Sequence, residues 1–170
     1  EADIIRFQND KEKWIAVVGL YEGRPYEIFS GKAASFVLPN SVEKGWVIRV
    51  KEEDNLPARY DFQFLDNDGY KVTIEGLSRM FKKEYWNYAK LISGILRHGM
   101  PITNVIELIS KLTLDTDSIN TWKNGIARAL KKYVKDGTIV EGEKCPQCGG
   151  KIIYTSGCKQ CSDCGWSKCG

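Results

Sequence analysis

Cysteine offers this 170-residue chain its most specific chemistry, and all six copies fall between Cys145 and Cys169. Cys145-Pro-Gln-Cys148-Gly149 has the form of a zinc knuckle. Two intervening residues set the bite of the thiolates, and the glycine lets backbone amides turn toward sulfur. A second pair at metal-ligand spacing follows in CKQCSDCGWSKCG, with two overlapping candidates, Cys158/Cys161 and Cys161/Cys164. One zinc ion takes four thiolates, so two remain over. Knuckle form favours Cys161 and Cys164, because Gly165 follows as Gly149 follows Cys148, and leaves Cys158 and Cys169. The other choice uses Cys158 and Cys161 and leaves Cys164 and Cys169, four residues apart, as a pair able to close into a disulfide. Lys159 and Lys168 beside these thiols would raise the thiolate fraction that carries out exchange. A surplus dithiol on a mobile terminus fits a redox shuttle.

The rest of the chain has to carry this module. Secreted disulfide frameworks scatter their cysteines, whereas here none precedes Cys145. With no apolar run of the roughly 20 residues needed to span a bilayer, and no signal-peptide pattern at the start, the sequence reads as soluble and cytoplasmic. A net charge of +3, spread along the chain, argues against strong nucleic-acid binding. The start at Glu1 rather than at a methionine suits a processed or excised piece.

From Lys13 to Glu75 the pattern is that of strands. KWIAVVGL and RPYEIFSG read as a hairpin joined through Glu22-Gly23. GWVIRVKEE places Trp46, Ile48 and Val50 on one face, and ARYDFQFL alternates Tyr60, Phe62 and Phe64 with Arg59, Asp61 and Gln63. The turn Asp66-Asn67-Asp68-Gly69 leads into YKVTIE, and the whole predicts an antiparallel sheet with one buried face. After Gly76 the period becomes helical. Tyr85, Tyr88, Ala89, Ile92, Ile95 and Leu96 form one stripe ending at a Gly99 cap. Pro101 opens a second helix with Val105, Ile106, Ile109 and Leu112. Asp115 or Asp117 caps a third with Ile119, Trp122, Ile126, Leu130 and Tyr133. The expected class is therefore α+β: an antiparallel β-sheet over residues 1–77, a three-helix segment over 78–134, a linker over 135–144, and a small zinc-ribbon-like, cysteine-rich module over 145–170. As an extended linker, ten residues would reach roughly 35 Å and let the module move.

Other residues invite chemistry and read more simply as structure. His98, the sole histidine, suits a helix C-terminus. Tyr85, Trp86 and Tyr88 look like core rather than a base-stacking platform. Asp66, Asp68 and Glu75 lack the rest of a calcium loop, and Gly19, Gly23 and Gly31 make no phosphate-binding fingerprint.

GRPYEIFSGKAAS (23–35), EYWNYAKLISGILRHGMPITNVIELI (84–109), TWKNGIARALKKYV (121–134) and the cysteine-rich end together resemble the C-terminal part of ribonucleotide reductase catalytic subunits. The adenosylcobalamin-dependent, class II enzymes are the most similar, and the tail is the most specific part of the likeness. The resemblance implies that the enzyme oxidises two active-site thiols during each reduction of a ribonucleotide to a deoxyribonucleotide. A C-terminal dithiol then reduces that disulfide, and thioredoxin or glutaredoxin resets the tail. Carried over, the terminal shuttle falls on Cys164 and Cys169, which leaves Cys145, Cys148, Cys158 and Cys161 for zinc. No residue matches the catalytic barrel, the thiyl radical, the nucleotide site or cobalamin binding. The chain alone would be inactive, a part that works with the remainder of the catalytic subunit. The rival expectation is a zinc-ribbon module that binds nucleic acid or a protein partner.

Overall fold

The computed structural model describes residues 1–9, 11–52 and 57–169; Glu53, at the end of one expected strand, and Gly170 lie outside them. The fold is α+β. An antiparallel six-stranded sheet has the order β3-β2-β1-β4-β5-β6. Its strands are β1 (Ala2–Asn9), β2 (Glu12–Tyr21), β3 (Arg24–Lys32), β4 (Lys44–Val50), β5 (Arg59–Leu65) and β6 (Lys71–Ile74). Four helices follow: α1 (Leu77–Met80), α2 (Lys83–Arg97), α3 (Ile102–Lys111) and α4 (Asp117–Lys131).

The expected β2–β3 hairpin forms on Glu22 and Gly23, both at positive φ (50° and 77°), the pair of conformations a tight two-residue hairpin turn requires. Strand β1 lies outside the expected strand region. ADIIRFQN alternates weakly, yet it pairs with β2 along its whole length and joins β4 through only two pairs, Ala2 with Gly45 and Asp3 with Lys44. That short junction lets the sheet curl over itself. Phe29 on β3 meets Tyr60 on β5 at a ring-centroid distance of 5.5 Å, although three strands separate them in the sheet.

Curling explains why β2 is buried on both faces from Trp14 to Val18 instead of on one. One face, on which Val17 opposes Phe29, looks into the curl, where Phe29 meets Tyr60. The other meets the helices, where Tyr85 of α2 lies between Trp14 and Trp122. The alternation expected of β4 holds, and the pairing with β5 decides which face is which. Val47 pairs with Phe62, and directly opposed residues share a face. So Val47 lies on the Phe62 face, and Trp46, Ile48 and Val50 lie together on the other, opposite Gln63, Asp61 and Arg59.

Helices α2 and α4 also cover the edge of the sheet. Ser93 Oγ accepts the Ile28 N–H at 3.1 Å, and Trp122 Nε1–H donates to Ser30 O at 2.9 Å, so the open side of β3 finds buried partners. Gly99 caps α2 as expected, with φ 83° and its N–H on Leu96 O. The cap of α4 is Thr116, whose hydroxyl accepts the Ile119 N–H; Asp117 supplies the favourable first-turn charge instead. The aromatic cluster is core: Tyr85 is buried and Trp86 stacks on Phe29. Asp66 builds a turn, its carboxylate accepting the N–H groups of Asp68 and Tyr70.

A second antiparallel sheet, β10-β9-β8-β7, contains β7 (Ile139–Lys144), β8 (Lys151–Thr155), β9 (Cys158–Cys161) and β10 (Ser167–Lys168). Strand β7 occupies most of the stretch expected as a linker. Its Ile139 pairs with Ile153, and Thr138 O accepts the Tyr154 N–H at 2.8 Å, so pairing begins only a few residues after α4. Val140, Ile152 and Tyr154 are buried and continue the main core into the tail. No described helix is long and apolar enough to cross a membrane.

Candidate metal centre and neighbouring disulfide

Strand ends of the small sheet bring the sulfurs together. Cys145 follows β7, Cys161 ends β9, and each opens a tight loop of the same shape. Cys145 N–H donates to Gly150 O and Gly149 N–H to Cys145 O. Sixteen residues on, Cys161 N–H donates to Trp166 O and Gly165 N–H to Cys161 O. Gly149 and Gly165 carry φ 73° and 76°, a left-handed conformation that glycine adopts without strain. The second loop is therefore a structural copy of the first, and it is the repeated Cys-x-x-Cys-Gly that encodes it.

The four sulfurs of Cys145, Cys148, Cys161 and Cys164 all lie within 4.8 Å of one another. Cys145 and Cys164 approach to 3.6 Å and Cys148 and Cys161 to 3.5 Å. Thiolates around a tetrahedral ion at about 2.3 Å stand roughly 3.8 Å apart, so the cluster fits such an ion. Backbone amides point inward: Gln147 N–H to Cys145 Sγ, Gly150 N–H to Cys148 Sγ and Asp163 N–H to Cys161 Sγ, each at 3.4 Å. Amides aimed at sulfur favour thiolate. The Cys164 and Asp163 amides, against the opposing effect of burial, hold Cys161 at about 7. At Cys148 the Gly150 amide also lowers the pKa, but the neighbouring sulfurs of Cys161 and Cys164 outweigh it and push the thiol up to about 12. Four thiols this close cannot all ionise unless a cation offsets their charge, so the arrangement has the chemistry of a metal site. Cys145 and Cys161 are buried, while Cys148 and Cys164 face outward.

The structure departs here from the ligand set carried over from the resemblance. Cys164 stands in the four-thiol cluster, and Cys158 is bonded to Cys169 with a Cα–Cα distance of 4.5 Å. Strand register is the physical reason. Lys168 pairs with Lys159 and Ser167 with Gln160, so the next opposed pair is Cys169 with Cys158. Their separation is that of directly opposed residues in an antiparallel ladder. Cys164, inside the loop between β9 and β10, points to the other end of the ribbon. The knuckle argument contained this division, whereas the Cys-x4-Cys spacing pointed away from it.

His98 sits where expected, at the end of α2 with its backbone N–H on Gly94 O. Sequence reasoning missed the surroundings of the disulfide. The Ser156-Gly157 turn between β8 and β9 rests on the last turn of α4, and Ser156 N–H donates to Asp136 Oδ1 at 2.7 Å. Arg128, Lys131 and Lys132 thereby line a cavity beside Cys158 and Cys169. Nothing in local spacing links residues 128–132 to a cysteine pair that lies about thirty residues further on.

Among known families, the one described as NrdJ homologue C-terminal domain matches residues 1–135. The match covers both the curled sheet and the helices and ends before the first cysteine. No curated protein and no solved structure matches the chain.

Proposed function

The chain belongs to the family of NrdJ homologue C-terminal domains, and from that premise we propose that it is the C-terminal region of a ribonucleotide reductase catalytic subunit, with a tail that resets the active site. The observation that carries this reading is the division of the six cysteines into a four-sulfur cluster and a separate cross-strand disulfide. Zinc on Cys145, Cys148, Cys161 and Cys164 holds the ribbon in shape. Cys158 and Cys169 are the redox pair, in place of the Cys164/Cys169 pair taken from the resemblance.

In the reduced tail, one thiolate attacks a sulfur of the oxidised active-site disulfide and forms a mixed disulfide. The second tail thiolate attacks the tail sulfur of that mixed disulfide and releases the active-site sulfur as a thiolate, so two electrons pass to the active site and the tail is left as the Cys158–Cys169 disulfide. A dithiol of thioredoxin or glutaredoxin restores the tail by the same exchange. The oxidised active-site pair belongs to the remainder of the subunit. Adenosylcobalamin, which a class II enzyme would use, also belongs there, and no residue of this chain is assigned to it.

Metal and thiol counting on the same sample tests the reading. One zinc per chain should stay bound while reduced thioredoxin releases two thiols that map to Cys158 and Cys169, and Cys164→Ser should lose the metal. A pair that never cycles while zinc is retained would sink the shuttle. Salt-sensitive binding to DNA or RNA without thiol turnover would favour the alternative, a zinc-ribbon binding module.

A further inference from the structure

The chain's net charge is only +3, but the fold concentrates cations beside the disulfide. On one side, Arg128, Lys131 and Lys132 of α4 and its end line a cavity of about 350 Å³ that Cys158 and Cys169 also border. On the other, Lys131, Lys144, Lys159 and Lys168 line a second cavity of about 460 Å³ together with Trp166. Of the carboxylates nearby, Glu143 pairs with Lys159, Glu107 and Glu141 line a further cavity beside Lys131 and Lys159, and Asp136 is held by the Ser156 N–H; none of them lines the cavity that borders the disulfide. The crowding is physical. Burial lowers the pKa of Lys131, and Lys159 and Arg128 push it down further. Within the disulfide the two sulfurs also differ, since Cys169 is exposed and Cys158 is half-buried against the end of α4.

We propose that this cationic collar docks the reductant, a protein dithiol with an acidic rim around its active thiols, and directs its attack to Cys169. The proposal rests on the redox role given above to Cys158 and Cys169. A thiolate of the reductant attacks Cys169 Sγ, the Sγ–Sγ bond breaks, and Cys158 leaves as a thiolate. Arg128, Lys131 and Lys132 border the cavity that receives that new negative charge. The reductant's second thiolate then attacks the reductant sulfur of the mixed disulfide, and Cys169 is released as a thiolate. Both tail thiolates take protons from water, and the reductant keeps the disulfide. Opposite charge across such a surface acts mainly on the rate of encounter, and it does so in a salt-dependent way.

Reduction rates of the full chain test this, with reduced thioredoxin as the charged protein dithiol and dithiothreitol as an uncharged small one. Lys132→Glu together with Lys168→Glu should slow thioredoxin roughly tenfold or more at low salt, and added salt should shrink the difference. Dithiothreitol should reduce both forms at rates within about twofold, since it needs no acidic rim. A thioredoxin lacking its resolving cysteine should be trapped on Cys169. The proposal is overturned by an unchanged thioredoxin rate, by an equal loss with both reductants, or by a trapped adduct on Cys158. Failure of dithiothreitol to open the pair with zinc retained is a different result, because it removes the redox role itself.

Discussion

The body up to residue 135 and the tail beyond it are stabilised by different means. The body buries Trp14, Trp122, Phe29, Phe36 and Phe62 almost completely, and its aromatic rings pack against one another from sheet to helices. Burial of that kind stabilises through apolar area, at about 25 cal/mol per Å². The tail has little to bury beyond Val140, Ile152, Tyr154, Cys145 and Cys161. A ribbon so small does not gain enough from apolar burial to offset its chain entropy, and sulfur chemistry has to supply the rest. The family match follows the same division, since it ends where sulfur takes over from the core.

Removing the proposed metal should therefore break the comparison most sharply. A strong chelator, or Cys145→Ser, should unfold residues beyond about 138 and leave the body's cooperative melt in place, because binding free energy of a structural zinc is folding free energy. Near-ultraviolet circular dichroism would follow the aromatic body while amide exchange follows the tail. A single melt that loses both regions at once would show that the shared core of Val140 and Tyr154 couples them.

The same division governs what a sequence discloses. Elements set by local rules were legible: the Glu22-Gly23 turn, the Gly99 cap, the apolar stripes of α2, α3 and α4. Elements set by distant partners were not. Strand β1 is specified by its ladder with β2 rather than by its own alternation, and the facing of β4 is decided by Phe62 across the sheet. In the tail, the repeated Cys-x-x-Cys-Gly marked the cluster. The partner of Cys169 was present there only as what the knuckle reading left over; the strand register that sets Cys158 opposite it is not contained in the cysteine spacing. The cationic collar is the least local feature, since it exists only once α4 and the Ser156-Gly157 turn meet.

Acid should act on the two regions with opposite sign. Glu27 on β3 is nearly buried and accepts a hydrogen bond from Arg97 Nη2 at 2.7 Å. Burial raises its pKa above the usual carboxylate value, and the hydrogen bond and charge of Arg97 only partly offset the rise. A raised carboxyl binds its proton more tightly in the native state. Stability contributed by this group therefore falls as pH rises from the unfolded carboxylate value through the native one, and is level above it. Arg97→Met should widen that window and destabilise the body by about 3 kcal/mol at neutral pH, with the loss shrinking toward pH 4. The tail runs the other way, because acid protonates thiolates and releases metal. Denaturant melts of the variant against pH, with zinc release read on the same samples, would check both slopes. A pH-independent loss would mean that Glu27 is not the group responsible.

The smallest expected effect is also the finest probe of whether the regions are linked. Helix α4 begins at the Thr116 cap, far from the cysteines, and ends at Lys131, whose carbonyl lies against the Gly157 backbone of the tail turn. Thr116→Ala removes one acceptor for the helix's first amides and should cost the body about 1 kcal/mol, a fall of roughly 4 °C in Tm. The tail's zinc affinity, measured by competition with a chromophoric chelator, should not change, because the four cysteines proposed to hold the metal sit on loops within the tail. The turn touches only the far end of α4, and a lost cap frays the first turn of a helix rather than its last. A parallel drop in zinc affinity would mean that α4 transmits the loss through its length, and that the tail is ordered by the helix that carries it as much as by its metal.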